Sequence, residues 1–98
     1  MVMKKKQHDE VFQFLAGNFH QDIESPEDAL EELLRESNKY YLNDTVLFLK
    51  KFINSAPTKD EKNNFIEESA DGVYFPALEQ EPIDWLQDII LRLETELK

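Results

Sequence analysis

Few side chains in this sequence could do acid–base chemistry. The 98 residues hold two histidines, His8 and His20, and no cysteine. His20-Gln21-Asp22 sets an imidazole two positions from a carboxylate, the pairing a small hydrolase would use as general base and orienter. One His and one Asp do not complete a site. A hydrolase also needs a nucleophile or activated water and a group that stabilises the developing charge. The simpler role ties a helix end to a turn. An imidazole near a helix C-terminus meets the last free carbonyls, and an aspartate in the next turn accepts backbone N–H groups. Asp60-Glu61 and Glu67-Glu68 could offer oxygens to Mg²⁺ or Ca²⁺, but the calcium-loop pattern with its central glycine is absent. A solvated helix face accounts for these carboxylates. There is no phosphate-cradling glycine loop, no serine elbow and no cysteine nucleophile. The expectation is a protein without catalytic residues, metal or cofactor.

Charge narrows the partner. Twenty-one acids stand against 11 Lys and Arg, for a net charge of −10. Nucleic acid is a poor direct partner, because it is recognised by basic surfaces. A basic protein fits. No apolar run is long enough to span a bilayer. The basic Met1-Val2-Met3-Lys4-Lys5-Lys6 is followed by Gln7-His8-Asp9-Glu10 instead of the apolar core of a secretory signal. A cytoplasmic location is expected. The length suits one domain over residues 1–98. With 41% hydrophobic residues, among them seven Phe, three Tyr and one Trp, it should fold rather than stay disordered.

Local signals place the elements that hold these residues. A first helix is predicted from His8 or Asp9 to Phe19, with Phe12, Leu15, Ala16 and Phe19 on its apolar face. Residues 1–7 would be a flexible, solvated tail. Gly17 lies inside this pattern and should cost about 1 kcal/mol against alanine, so another element is expected to pack close to its backbone. Ser25-Pro26-Glu27-Asp28 opens a second helix with a cap and a proline at the first position. Its Ala29, Leu30, Leu33 and Leu34 share one face, and Glu27, Glu31, Glu32 and Glu36 lie largely on the other. Tyr40 to Ile53 is apolar most of the way round and predicts a central helix. Thr58-Lys59-Asp60-Glu61 is a capping box opening a short, peripheral helix to about Glu68. Ala70-Asp71-Gly72 breaks it. Val73 to Leu78 is an apolar loop that either packs on the core or forms a contact surface. From Pro82 the pattern Ile83, Leu86, Ile89, Ile90, Leu93 and Leu97 is helical. The predicted fold is all-α, a single small domain of about five helices.

Phe14-Leu15-Ala16-Gly17-Asn18-Phe19-His20-Gln21-Asp22 resembles the opening signature of CdiI-type immunity proteins of bacterial contact-dependent growth inhibition systems. Asp22-Ile23-Glu24-Ser25-Pro26-Glu27-Asp28-Ala29 is similar to the acidic, proline-containing turn and helix start that follow in that family. Pro82-Ile83-Asp84-Trp85-Leu86 is similar to its closing motif, although Ile83 departs from the polar spacing. The stretch from Asn38 to Leu78 departs most. The resemblance implies a non-enzymatic protein that binds the C-terminal toxin domain of a cognate CdiA effector in a 1:1 complex. Many such toxins are nucleases, often ribonucleases, with basic clefts. The expected toxin contacts are the acidic face of the second helix, Glu24, Glu27, Asp28, Glu31 and Glu32, with Asp71, Tyr74 and Phe75 as a second edge. Gly17, Phe19, His20, Gln21, Asp22 and Trp85 are expected to be structural. A small hydrolase built on His20 and Asp22, and an acidic adaptor that buries the Val73 to Phe75 loop in an assembly, are the alternatives of a different class.

Overall fold

The computed structural model describes the backbone of residues 5–98 and the side chains from Asp9 onward. The described residues form six helices and no strand: α1 (Lys5–Asn18), α2 (Pro26–Glu36), α3 (Lys39–Ile53), α4 (Lys59–Ser69), α5 (Phe75–Leu78) and α6 (Pro82–Leu97). The all-α expectation holds, with one helix more than the predicted five. The extra element is α5, a single turn in the stretch expected to be a loop. Helix α1 begins earlier than its sequence pattern suggested and takes in Lys5 to Gln7. Asp9 and Glu10 therefore lie beyond its first turn. Residues 1–4 of the expected tail lie outside the described residues.

Short-range chemistry sets where the helices start. Ser25 Oγ accepts the Asp28 N–H at 3.0 Å, with Pro26 at the first helical position. Asn38 Oδ1 accepts the Tyr41 N–H at 2.8 Å. Thr58 and Glu61 form the full reciprocal box, Thr58 N–H to Glu61 Oε1 at 3.0 Å and Glu61 N–H to Thr58 Oγ1 at 3.2 Å. Each such bond satisfies a donor that the helix itself cannot.

Packing differs from the sequence pattern in three places. On α1 the buried face is Val11, Phe14 and Leu15, continued by Phe19 just past its end, while Phe12 is half exposed. Helix α3 packs on α1 and α6, burying Leu42, Val46, Leu49 and Phe52, but leaves Tyr40 and Leu47 in solvent. It is central by position, yet buried along one stripe only. Helix α4 is docked rather than peripheral. It packs on α6 and α1, and Ile66, Ser69 and the following Ala70 are buried. Lys62 on α4 is 8% exposed, and its Nζ donates to the Ile53 carbonyl at 2.6 Å. A cation thereby covers a carbonyl that the C-terminus of α3 leaves free.

Aromatic rings join these layers. Trp85 at the start of α6 takes Phe19 edge-on at 4.9 Å and Phe75 edge-on at 5.3 Å. Phe14 continues the chain of rings to Phe19 at 6.1 Å and to Phe48 at 6.3 Å. Edge-to-face pairs of this kind add to the large apolar area such rings bury. The short α5 is held in place this way, since Phe75 is its first residue and packs on Trp85.

Candidate functional site

The corner after α1 is clamped by a segment 50 residues away. The Phe19 carbonyl accepts the Gly72 N–H at 2.8 Å. Gln21 Nε2 donates to Asp71 Oδ2 at 3.1 Å. Within the corner, His20 Nδ1 accepts the Asp22 backbone N–H at 3.2 Å, and the His20 carbonyl accepts the Ile23 N–H at 3.3 Å. Asn18 Nδ2 turns back to the Phe14 carbonyl at 2.9 Å. The ring of Phe19 anchors the whole on Trp85. His20 thus shapes the turn through a ring nitrogen that accepts a bond, and Asp22 contributes its N–H rather than receiving one.

The glycine that permits close approach is Gly72. A Cβ there would overlap the His20 carbonyl and stand 2.9 Å from the Phe19 oxygen. A Cβ at Gly17 would meet no neighbour within 4 Å. The expectation that an element packs on Gly17 is therefore overturned. Its helical face opens onto a groove instead.

That groove, about 730 Å³, lies between the corner and the outer face of α2. Gly17, His20 and Asp22 form one wall, and Glu24, Asp28, Glu31 and Glu32 line the other. Glu36 and Arg35 extend it towards the end of α2. Four of the expected contact residues thus meet the signature corner in a single concave, negatively charged face. Asp22 and Glu36 belong to this face and were not counted as contacts. The signal for Glu36 was in the sequence: Asp28, Glu32 and Glu36 are four apart and share a helix face.

The other expected contacts are placed elsewhere. Glu27 stands one residue, hence about 100° of helix rotation, from Asp28, and turns to the opposite flank of α2. There its Oε2 meets Arg92 Nη1 at 3.2 Å. Asp71 is engaged with Gln21 outside the groove lining. Tyr74 is 72% exposed and free to meet a partner. Phe75 is 4% exposed. It faces Trp85 and packs in the core of the free chain. The Val73 to Phe75 stretch packs on the core through Val73 and Phe75 and turns Tyr74 to solvent.

The arrangement at His20 is not that of a general base with an orienting carboxylate. In such a pair the carboxylate accepts the N–H of the distal ring nitrogen. Here Nδ1 is itself an acceptor, bonded to the Asp22 backbone. Among the described residues, no three His, Asp or Glu side chains come together as a group that could hold a metal ion. No described helix is long and apolar enough to cross a membrane.

Fold and face together define a class: a small, acidic all-α domain whose concave side is lined by carboxylates. The family model described as CdiI immunity protein matches residues 7–93, and the chain belongs to that family. It is an immunity protein, one that neutralises the toxin of a contact-dependent growth inhibition system. None of the curated proteins and none of the solved structures matches the chain.

Proposed function

We propose that this protein is a non-enzymatic inhibitor that binds the C-terminal toxin domain of its cognate CdiA effector 1:1 in the cytoplasm. The toxin domain would be a nuclease, and a ribonuclease in the first instance, whose basic substrate cleft is met by the groove between the corner and α2. The observation that carries this reading is the groove itself. Asp22, Glu24, Asp28, Glu31 and Glu32 converge on one concave face of a chain with net charge −10. Such a face can stand in for phosphates and can steer a basic partner during encounter. Exposed Tyr74 adds an aromatic contact beyond the groove. The inhibitor role is supported at His20, whose Nδ1 is committed to the turn.

Stopped-flow binding to the cognate toxin domain tests the proposal. Association should slow as salt rises, because charges separated by more than about 8–10 Å are screened at 0.1–0.15 M salt. The triple variant D28K/E31K/E32K, checked for folding, should associate roughly tenfold or more slowly at low salt and should lose protection of cells. An association rate indifferent to salt and to the triple reversal would remove the phosphate-mimic mechanism. Weak binding to many proteins, without one tight 1:1 complex, would point to an adaptor instead.

A further inference from the structure

The flank of α2 opposite the acidic groove carries a second concavity, and its chemistry is different. It measures about 640 Å³ and runs between α2 and α6. Its floor is apolar: Leu30, Trp85 and Ile89, with Leu78 and Leu91 at the lip. Leu78 is 39% exposed and Leu91 60% exposed. Polar pairs bound this floor. Glu27 is bonded to Arg92 at 3.2 Å, and Gln80 Nε2 donates to Asp88 Oδ2 at 2.6 Å. An apolar centre inside a polar rim is the anatomy of a protein contact surface.

We propose that this groove is the second half of the toxin-contact surface, and that it takes a large aliphatic side chain carried on a basic segment of the toxin domain. The proposal rests on the inhibitor reading above. Two observations select this occupant. The lining carries Glu27 and Asp88 against the single base Arg92; Arg92 and Glu27 are paired with each other, so Asp88 is the uncompensated charge and the rim favours Lys or Arg beside the aliphatic anchor. The groove is also continuous with the acidic face through the first turn of α2. Glu24 and Asp28 look into one concavity, and Ser25 and Glu27 line the other. Helix α2 is then a ridge that the toxin straddles, with charge engaged on one side and apolar area buried on the other. A second copy of this chain fits poorly, because a two-fold contact here would bring two acidic α2 ridges together on chains of charge −10 each.

The two flanks should separate kinetically. Rim and groove charges act mainly on encounter, whereas a buried aliphatic anchor acts mainly on residence time. The double variant L78A/L91A removes the lip from positions already open to solvent, so the fold should persist, as melting will confirm. With the cognate toxin domain, association should stay within about twofold of the parent, while dissociation becomes about tenfold faster or more. Complex formation with an unchanged dissociation rate would overturn this inference and leave the inhibitor reading in place. Sedimentation showing a dimer of the free protein that L78A/L91A disrupts, with toxin affinity unaltered, would overturn it in favour of self-association. A parent protein that forms no complex with the toxin domain would sink the inhibitor reading and this inference with it.

Discussion

Replacing Gly72 by alanine should be the most damaging single-methyl change in this protein. The residue has no need of a left-handed backbone, since no glycine here has positive φ. Its requirement is space. The added Cβ would overlap the His20 carbonyl and lie 2.9 Å from the Phe19 oxygen. Ordinary carbon contacts need about 3.5–4 Å, and the obstacle is backbone, which cannot rotate away as a side chain can. The Asp71-Gly72 segment must therefore retreat by more than about an ångström. That retreat breaks the 2.8 Å bond from Gly72 N–H to Phe19 and strains the Gln21–Asp71 contact. Overpacking costs about 1–3 kcal/mol, and the lost hydrogen bond a further ~0.5–1.5 kcal/mol. The expected total is about 2–4 kcal/mol, or a Tm lower by roughly 10–25 °C for a domain of this size. Gly17→Ala is the matched control. Its Cβ would enter open space, and the helix should gain about 0.5–1 kcal/mol from the lower entropy of the unfolded chain and the better helix propensity. Thermal melting followed by far-ultraviolet circular dichroism, with urea titration for the free energies, measures both. A Gly72→Ala protein within about 0.5 kcal/mol of the parent would refute the close approach at the corner. So would a Gly17→Ala protein that proves the less stable of the two.

Two further outcomes follow from features away from the grooves. Thr45 is fully buried on α3, and its hydroxyl has no hydrogen-bond partner. Thr45→Val keeps the shape and removes the unpaired group, so stability should rise by about 1 kcal/mol; a loss on denaturant titration would show that the hydroxyl is satisfied in solution. Acid should weaken the α4 junction. The Thr58 backbone N–H holds Glu61 below the usual glutamate range, and the hydrogen bond from Lys59 does the same for Glu81. A carboxyl depressed by folding contributes stability that is complete above its unfolded value and is lost as pH falls through its folded value. Lys59, raised by Glu81, contributes in the opposite sense, fully below its unfolded value and lost only as strongly alkaline pH is passed. The double variant E61A/E81A should therefore lose less Tm than the parent between neutral pH and pH 3, and parallel curves would contradict the assignment.

Much of the fold was legible because its signals are local. Ser25 and Thr58 accept hydrogen bonds from residues three positions on, and Pro26 and Pro82 fit the first helical turn. These are contacts the sequence itself brings together. The 3.6-residue period likewise identified the buried face of α6, from Ile83 through Leu86, Ile89 and Ile90 to Leu93. The acidic stripe of α2 was visible on the same ground, and so was the corner after Phe19 as a place where the chain turns.

Other features depend on what each face meets, and periodicity does not record that. Phe12 and Phe14 are both aromatic, yet only Phe14 finds Phe19 and Phe48. Tyr74 and Phe75 are adjacent, yet the backbone turn into α5 sends one to solvent and the other to Trp85. Glu27 and Asp28 are adjacent, and packing of α2 against α6 places them on opposite flanks. Of the two glycines, the one in the helix met nothing, and the one in the break met the backbone of His20. The sequence alone determined that this chain is acidic, helical and punctuated where its caps and prolines stand, because those properties arise from single residues and from neighbours within a turn. Which acids share a concave face, which aromatics are core, and that α2 is a ridge between two unlike grooves were decided only when distant segments docked, because a side chain's surroundings are set by the segments packed against it.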